Sequence, residues 1–226
     1  NVYGKVPLAA LRDNEGADGQ DKLDLTIDVD DADLSMLSAL SDQLEWSVGP
    51  TDGKIKISGT VAQPAVDGTF RVVDGAVKFK DVKTPLENIN VKADFIGKRF
   101  ELKEFSGSIG GGKFNLSGQT LFEGTKPQQY DFQLTADNLW LESDFYTGSI
   151  NGAFTLQEGT FYKFVMPKLS GNLLLDDALI TIPSLPEGES NLPNVLLDVK
   201  LDLGKKVRLY NSQFFDMWLA GGAHFG

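Results

Sequence analysis

Residues 107–114, Gly-Ser-Ile-Gly-Gly-Gly-Lys-Phe, have the spacing of a phosphate-binding loop. Phe114, however, stands where such a loop needs a hydroxyl group to bind magnesium. The residues that follow have the period of a strand, so no helix N-terminus is available to hold an anion. We therefore interpret this segment as a flexible hairpin turn.

Four aspartates, Asp28, Asp30, Asp31 and Asp33, are close enough in sequence to offer carboxylate oxygens to a hard cation. The glycine and the distal glutamate of a helix-loop-helix calcium site are missing. A solvated turn is the better interpretation, and we predict no metal site.

His224 is the single histidine and the chain has no cysteine, so a zinc site would lack partner ligands. A serine-histidine-acid arrangement would depend on His224 alone, and no nucleophile-elbow motif is present. Paired carboxylates for sugar hydrolysis stay open, because only geometry would reveal such a pair. We interpret Trp46, Trp140 and Trp218 as packing residues, and we predict a protein that is not an enzyme and has no cofactor.

The composition narrows the class of partner. The chain has 226 residues and a formal net charge of −11, which disfavours nucleic acid and anionic lipid surfaces as partners. No run of 18 apolar residues is present, so we expect no transmembrane helix. The chain starts with asparagine and shows no signal peptide, and we expect it to be one elongated domain, residues 1–226, of a longer protein.

Apolar and polar residues alternate along most of the chain, as expected for strands with one dry and one wet face. One short helix, capped by Asp33, is predicted at residues 34–44 because Leu37, Leu40 and Leu44 share a helical face. Asp74-Gly75 predicts a tight hairpin, and residues 183–193, with three prolines, predict a surface loop. A sandwich, a barrel or a curled sheet could hide the dry faces. Glycines inside the strands favour strong curvature around an apolar interior.

The sequence also contains an approximate repeat, at about residues 23–125 and 128–226. Pro64–Phe79 aligns without gaps with residues 167–182, at an offset of 103, and this alignment pairs Asp74 with Asp177. Weaker matches follow in the same order at similar offsets. Repetition of this kind predicts an elongated stack of strands.

Several of these segments resemble the AsmA-like family, and most closely the C-terminal region of the translocation and assembly module subunit TamB. The resemblance covers the chain from about Leu23 to its end. It is carried by residues 57–61, Pro64–Phe79 and 114–118, and by the stretches listed next. These stretches are residues 194–201, 207–209 and 219–222.

The resemblance implies an all-β fold: an elongated, strongly curled antiparallel or mixed sheet, β-taco-like, with an apolar interior. It also implies a periplasmic segment of an inner-membrane-anchored protein in a bacterium with two membranes. Such a segment would carry phospholipid acyl chains between the membranes, and other parts of the protein would contact an outer-membrane β-barrel. The alternative is a secreted adhesive or carbohydrate-active β-helix or β-sandwich domain.

A lipid groove would be lined by the large apolar residues of the alternating strands. The predicted lining residues are Ile55, Ile57, Phe70, Val72, Ile89, Val91, Phe95, Phe114, Leu116, Phe132, Leu134, Phe154, Leu156, Leu173, Leu175, Leu197, Val199 and Leu201.

Overall fold

The computed structural model describes residues 1–5, 21–37, 41–182 and 195–226. Within these ranges the chain forms thirteen strands and a 3-10 helix, Leu34–Leu37. The strands are β1 Val2–Lys5, β2 Lys22–Asp33, β3 Leu44–Val48, β4 Pro50–Thr60, β5 Pro64–Phe79, β6 Leu86–Gly97, β7 Arg99–Ile109, β8 Gly112–Glu123, β9 Lys126–Glu142, β10 Tyr146–Phe161, β11 Phe164–Thr181, β12 Leu196–Asn211 and β13 Phe215–Phe225.

The strands belong to one mixed sheet, in which neighbours in sequence are almost always neighbours in space. The order is β1-β2-β4-β5-β6-β7-β8-β9-β10-β11-β12-β13, with β3 pairing β5 beside this path. All pairs are antiparallel except β11 with β12, which run parallel. The two edges, β1 and β13, do not meet, so the sheet is open. The prediction of an all-β chain with a mixed sheet is confirmed at this level.

Two local predictions were wrong. The helix expected at residues 34–44 is only one 3-10 turn, and β3 already begins at Leu44. Residues 38–40 lie outside the described ranges. Asp74-Gly75 does not form a hairpin, because β5 continues through it to Phe79.

Asp74 and Asp177, which the repeat aligns, both have a left-handed backbone conformation, with φ of 51° and 46°. Each lies where the pairing register shifts, in β5 between Val72 and Gly75 and in β11 between Leu175 and Leu179. Aspartate tolerates this conformation better than most residues, which suits it to a bulge. The repeat as a whole stays a prediction, since β5 pairs antiparallel with β6 whereas β11 pairs parallel with β12.

One prediction falls outside the described residues, namely the surface loop at residues 183–193.

The best-packed part of the described chain lies between β10, β11 and β12. Val207 has no exposed surface and forms a cluster with Leu175 and Ala178. Tyr146 packs against the cluster, and burial raises the pKa of its phenol to about 12. The phenol therefore stays protonated and donates a hydrogen bond of 2.9 Å to the Ser149 carbonyl.

Truncating Val207 should destabilise the fold more than truncating an exposed valine. We expect Val207→Ala to lower the free energy of unfolding by about 2 kcal/mol, because two buried methyl groups are lost and a cavity remains. Val73→Ala, on exposed surface of β5, is the matched control and should change it by less than about 0.5 kcal/mol. Urea unfolding followed by circular dichroism measures both, and equal losses would contradict a core at this place.

Candidate functional site

Strand pairing brings the apolar residues of successive strands to one face of the sheet. Directly paired residues share a face, so a row across the sheet can be followed from partner to partner. One row consists of Val29, Gly53, Phe70, Ala93, Leu102, Gly118, Phe132, Leu156, Leu169 and Leu197. No charged or hydrogen-bonding side chain interrupts this row over ten strands.

The register places every predicted lining residue on this same face, called the apolar face below. Val72, Ile89, Phe114 and Leu175 are buried, and Leu197 is 50% exposed. The other thirteen are half-buried. Half-burial of so many large apolar side chains means that the described chain supplies no second layer to cover them.

A wholly apolar cleft of about 330 Å³, called the central cleft, lies on this face. It spans the four strands β8 to β11 and is lined by Leu116, Phe132, Leu134, Phe154, Leu156 and Leu169. Five of these six residues were predicted. Leu169 was missed, although it alternates with Lys168 and Ser170 in the same way as its predicted neighbours.

Two glycines bring neighbouring strands close together beneath the phenylalanine rings of the cleft. Gly118 pairs with Phe132 and Gly171 pairs with Phe154, and both glycines have positive φ, at 153° and 152°. A Cβ on either glycine would lie 2.2 Å from a backbone oxygen of the adjacent strand. The glycines therefore permit a close approach that no other residue allows, and they leave room for the rings.

A second cleft, of about 210 Å³, lies on the apolar face near the ends of β5 to β8. Its apolar walls include Phe95 and Phe100, whose rings are 5.1 Å apart, together with Val66 and Phe122. Phe95 was predicted as a lining residue, but Phe100 was not. Alternation along β7 would have identified it.

The opposite face is polar and carries several ion pairs. The Lys92 Nζ lies 2.7 Å from the Glu104 Oε2. The hydrogen bond from Lys92, and to a smaller extent the one from Ser106, holds the pKa of Glu104 below its ordinary value. Lys168 lies 2.6 Å from Asp198 and is the main cause of the lowered pKa of that carboxyl. This face is therefore the wet side of the sheet.

His224 contributes to the same arrangement, since its Nε2 is 2.9 Å from Asp198 Oδ1. Both side chains are exposed, and this pair assists Lys168 in lowering the Asp198 pKa. The geometry is that of a surface hydrogen bond rather than of a buried general base.

The other residues considered as candidates for catalysis or metal binding lie in a turn, in local hydrogen bonds or on the surface. Residues 107–114 form the turn between β7 and β8, as predicted. Asp33 accepts hydrogen bonds from the Ser35 and Gly49 amides at 2.8 and 3.1 Å. Among the described residues, no group of three acidic or histidine side chains could hold a metal ion. Trp218 is largely exposed near Arg208, so its interpretation as a packing residue was wrong.

Comparison with known proteins gives only distant similarities. No family model and no solved structure matches the chain. The protein SUBSTANDARD STARCH GRAIN 4, chloroplastic, of Oryza sativa subsp. japonica is 24% identical over 108 residues, which are 47% of this chain and 5% of that protein. The protein TIC236, chloroplastic, of Arabidopsis thaliana is 20% identical over 174 residues, which are 75% of this chain and 7% of that protein.

These results overturn the resemblance to the AsmA-like family and to TamB. The matching proteins are plant chloroplast proteins, and no family model supports the bacterial assignment. The motifs that suggested it are short apolar-polar alternations with an internal glycine. Any long sheet with one dry face needs that pattern, so the pattern does not identify a family.

One further finding concerns membranes. In the part of the chain that the structure describes, no helix has the length and apolar character needed to span a bilayer.

The close approach beneath the cleft can be tested by adding a single methyl group. We expect Gly171→Ala to lower the free energy of unfolding by about 3 kcal/mol, because the new Cβ would collide with the Ala153 carbonyl. Gly111→Ala is the control, since Gly111 also has positive φ (90°) but has open space around it. Its cost should be only the conformational one, about 1 kcal/mol. Chemical denaturation of both variants measures the difference, and equal costs would refute the close approach.

Proposed function

We propose that the apolar face binds the acyl chains of phospholipids and carries them along the sheet while the headgroups stay in water. The observation that carries this proposal is the central cleft. Six apolar side chains line it, no polar side chain does, and no described element covers it. An uncovered hydrocarbon surface of this size needs an apolar occupant.

The size of the central cleft suits part of an acyl chain. A volume of about 330 Å³ has room for roughly ten groups of water or methylene size, at about 30 Å³ each. At about 0.8 kcal/mol for each buried methylene, such a segment gains at most about 8 kcal/mol. Association costs about 4 kcal/mol or more, so the net binding is moderate and reversible. A carrier that must release its lipid requires this kind of affinity.

The uniformity of the apolar face supports movement along it. A neighbouring row on this face is also apolar, namely Val72, Val91, Phe105, Leu116, Leu134 and Phe154. An acyl chain that leaves one row therefore meets a similar surface at the next. Twelve strands follow one another along the sheet, and at about 4.8 Å between strands they extend over about 53 Å. In our proposal the sheet curls around this face and forms a trough.

The proposal includes a setting. The chain matches only 5% and 7% of the lengths of its two relatives, which are long proteins. We propose that the chain is one segment of a longer conduit between an inner and an outer membrane, across a periplasm. Contact with an outer-membrane β-barrel would then involve other parts of such a protein.

A charge in the central cleft should abolish acyl-chain binding. We expect Phe154→Glu to reduce the affinity for a fluorescent long-chain fatty acid at least tenfold, because the carboxylate would lose its hydration beside the hydrocarbon. Lipid that co-purifies with the protein, measured by mass spectrometry, should fall in parallel.

The matched control is Thr155→Glu, one residue along β10 and therefore on the polar face. It should leave binding unchanged, and circular dichroism should show both variants folded. If Phe154→Glu unfolds the protein, the apolar face is a packed core; if it binds like the parent, the cleft is not the site. Either outcome refutes the proposal.

A further inference from the structure

The tip of the β10–β11 hairpin is not hydrogen-bonded into the rest of the described sheet. The last pair of β10 with β9 is Gln157 with Asp131, and the first pair of β11 with β12 is Lys168 with Leu196. Among the described residues, 158–161 and 164–167 pair only with each other. These ten residues, 158–167, form a two-stranded ribbon that we call the ribbon.

The tip of the ribbon exposes large apolar side chains. Phe161, Tyr162, Phe164 and Val165 are 53%, 86%, 70% and 62% exposed. The rings of Phe161 and Tyr162 contact each other edge to face, with centroids 4.7 Å apart. Lys163 lies between them in sequence and forms no ion pair with any described residue. Exposure of this many large apolar side chains to water is unfavourable, and it is typical of a contact surface.

Other turns of the sheet differ from this one. At the end of the sheet where the ribbon lies, β6 and β7 are joined by Gly97 and Lys98, and β8 and β9 by Gly124 and Thr125. At the opposite end, the β12–β13 turn exposes Phe214, but β12 is paired there almost to its last residue. Four exposed large apolar side chains at one tip thus distinguish the ribbon from these turns.

We propose that the ribbon docks into the interfacial layer of a lipid bilayer. Four residues on each side, at about 3.3 Å per residue, make the ribbon about 13 Å long. Docking requires only its tip to enter roughly the outer 5 to 10 Å of the bilayer, the depth at which apolar faces of interfacial segments are buried. The two strands pair with each other, so insertion exposes few unsatisfied backbone groups to hydrocarbon.

The chemistry of the tip fits a phospholipid surface. Phenylalanine and tyrosine rings favour the boundary between headgroups and acyl chains. Lys163 can extend from that boundary to a lipid phosphate, which offers it the anionic partner that the described part of the chain does not supply. The chain as a whole is acidic, so this contact depends on apolar insertion more than on long-range attraction.

The ribbon is continuous with the central cleft. Leu156 pairs with Leu169 in the cleft. Two residues further along each strand, and on the same face, Glu158 pairs with Pro167 at the base of the ribbon. The Glu158 carboxylate accepts a hydrogen bond of 2.6 Å from the Gln129 amide, which ties the base to β9. A docked ribbon would bring the cleft to within about 13 Å of the bilayer. The role in lipid loading rests on the proposed function, but the docking does not.

Vesicle flotation tests the docking with the intact chain. We expect the protein to float with phosphatidylcholine vesicles, and Phe164→Ser to lower the partition coefficient about tenfold, since about 1.4 kcal/mol of apolar burial corresponds to that factor. Phe214→Ser, a similarly exposed phenylalanine at the opposite end of the sheet, is the matched control and should float like the parent. Unchanged flotation of Phe164→Ser, or no flotation of the parent, would overturn the proposal.

A tryptophan at the tip reports insertion directly. With Tyr162→Trp, vesicles should shift the emission of the new tryptophan to the blue, and brominated lipids should quench it. A docking site for a second copy of the chain would instead cause concentration-dependent association without vesicles, and this result would refute the bilayer as the occupant.

The two proposals fail separately. If the central cleft does not bind fatty acid but the ribbon variants still lose flotation, only the acyl-chain function is refuted. If Phe164→Ser binds fatty acid and vesicles as the parent does, only the docking is refuted.

Discussion

The two-residue period of the β-strand, held in register across an open sheet, is the constraint on which this structure depends. Alternation assigns each side chain to a face, and direct pairing continues that assignment from strand to strand. Phe132 on β9, Leu156 on β10 and Leu169 on β11 lie in one row for this reason. A register shift of one residue would move all the apolar side chains of a strand to the polar face, where water surrounds them. Correct pairing and the segregation of the two faces therefore reinforce each other.

The stability of such a sheet is distributed unevenly. Ion pairs on the polar face, such as Lys92 with Glu104, are solvent-exposed and contribute little. In the described chain a cluster of buried residues surrounds Val207, between the last strands, and further buried residues such as Val72 and Ile89 lie in the middle strands. Most other side chains of the apolar face contact neighbours along their rows and remain half-exposed. An occupant of the apolar face would therefore add burial where the protein itself provides least.

Alternation made much of the site predictable. All eighteen predicted lining residues lie on one face, because the period was read correctly on each strand. Features that depend on the third dimension were not predictable. Asp74-Gly75 has the same local signature whether the chain reverses or bulges, and only the pairing of β5 with β4 and β6 decides between them. The parallel pairing of β11 with β12 depends on a connection that carries no strand signal. The family resemblance failed because alternation with internal glycines is a property of the architecture.

A surface without polar anchors can discriminate among ligands only by size and apolarity. In our proposal the affinity of the central cleft comes from methylene burial, which is nearly the same for every acyl chain, so selection among lipids would have to occur outside the cleft. The proposed docking of the ribbon concerns how lipid reaches the cleft. A cleft that binds hydrocarbon moderately gains nothing from lipid at the very low concentration at which it is free in water, whereas a tip that rests in a bilayer places the cleft beside a large local supply. Effective concentration, rather than tight binding, would then fill the cleft, and the same moderate affinity would let the lipid leave it.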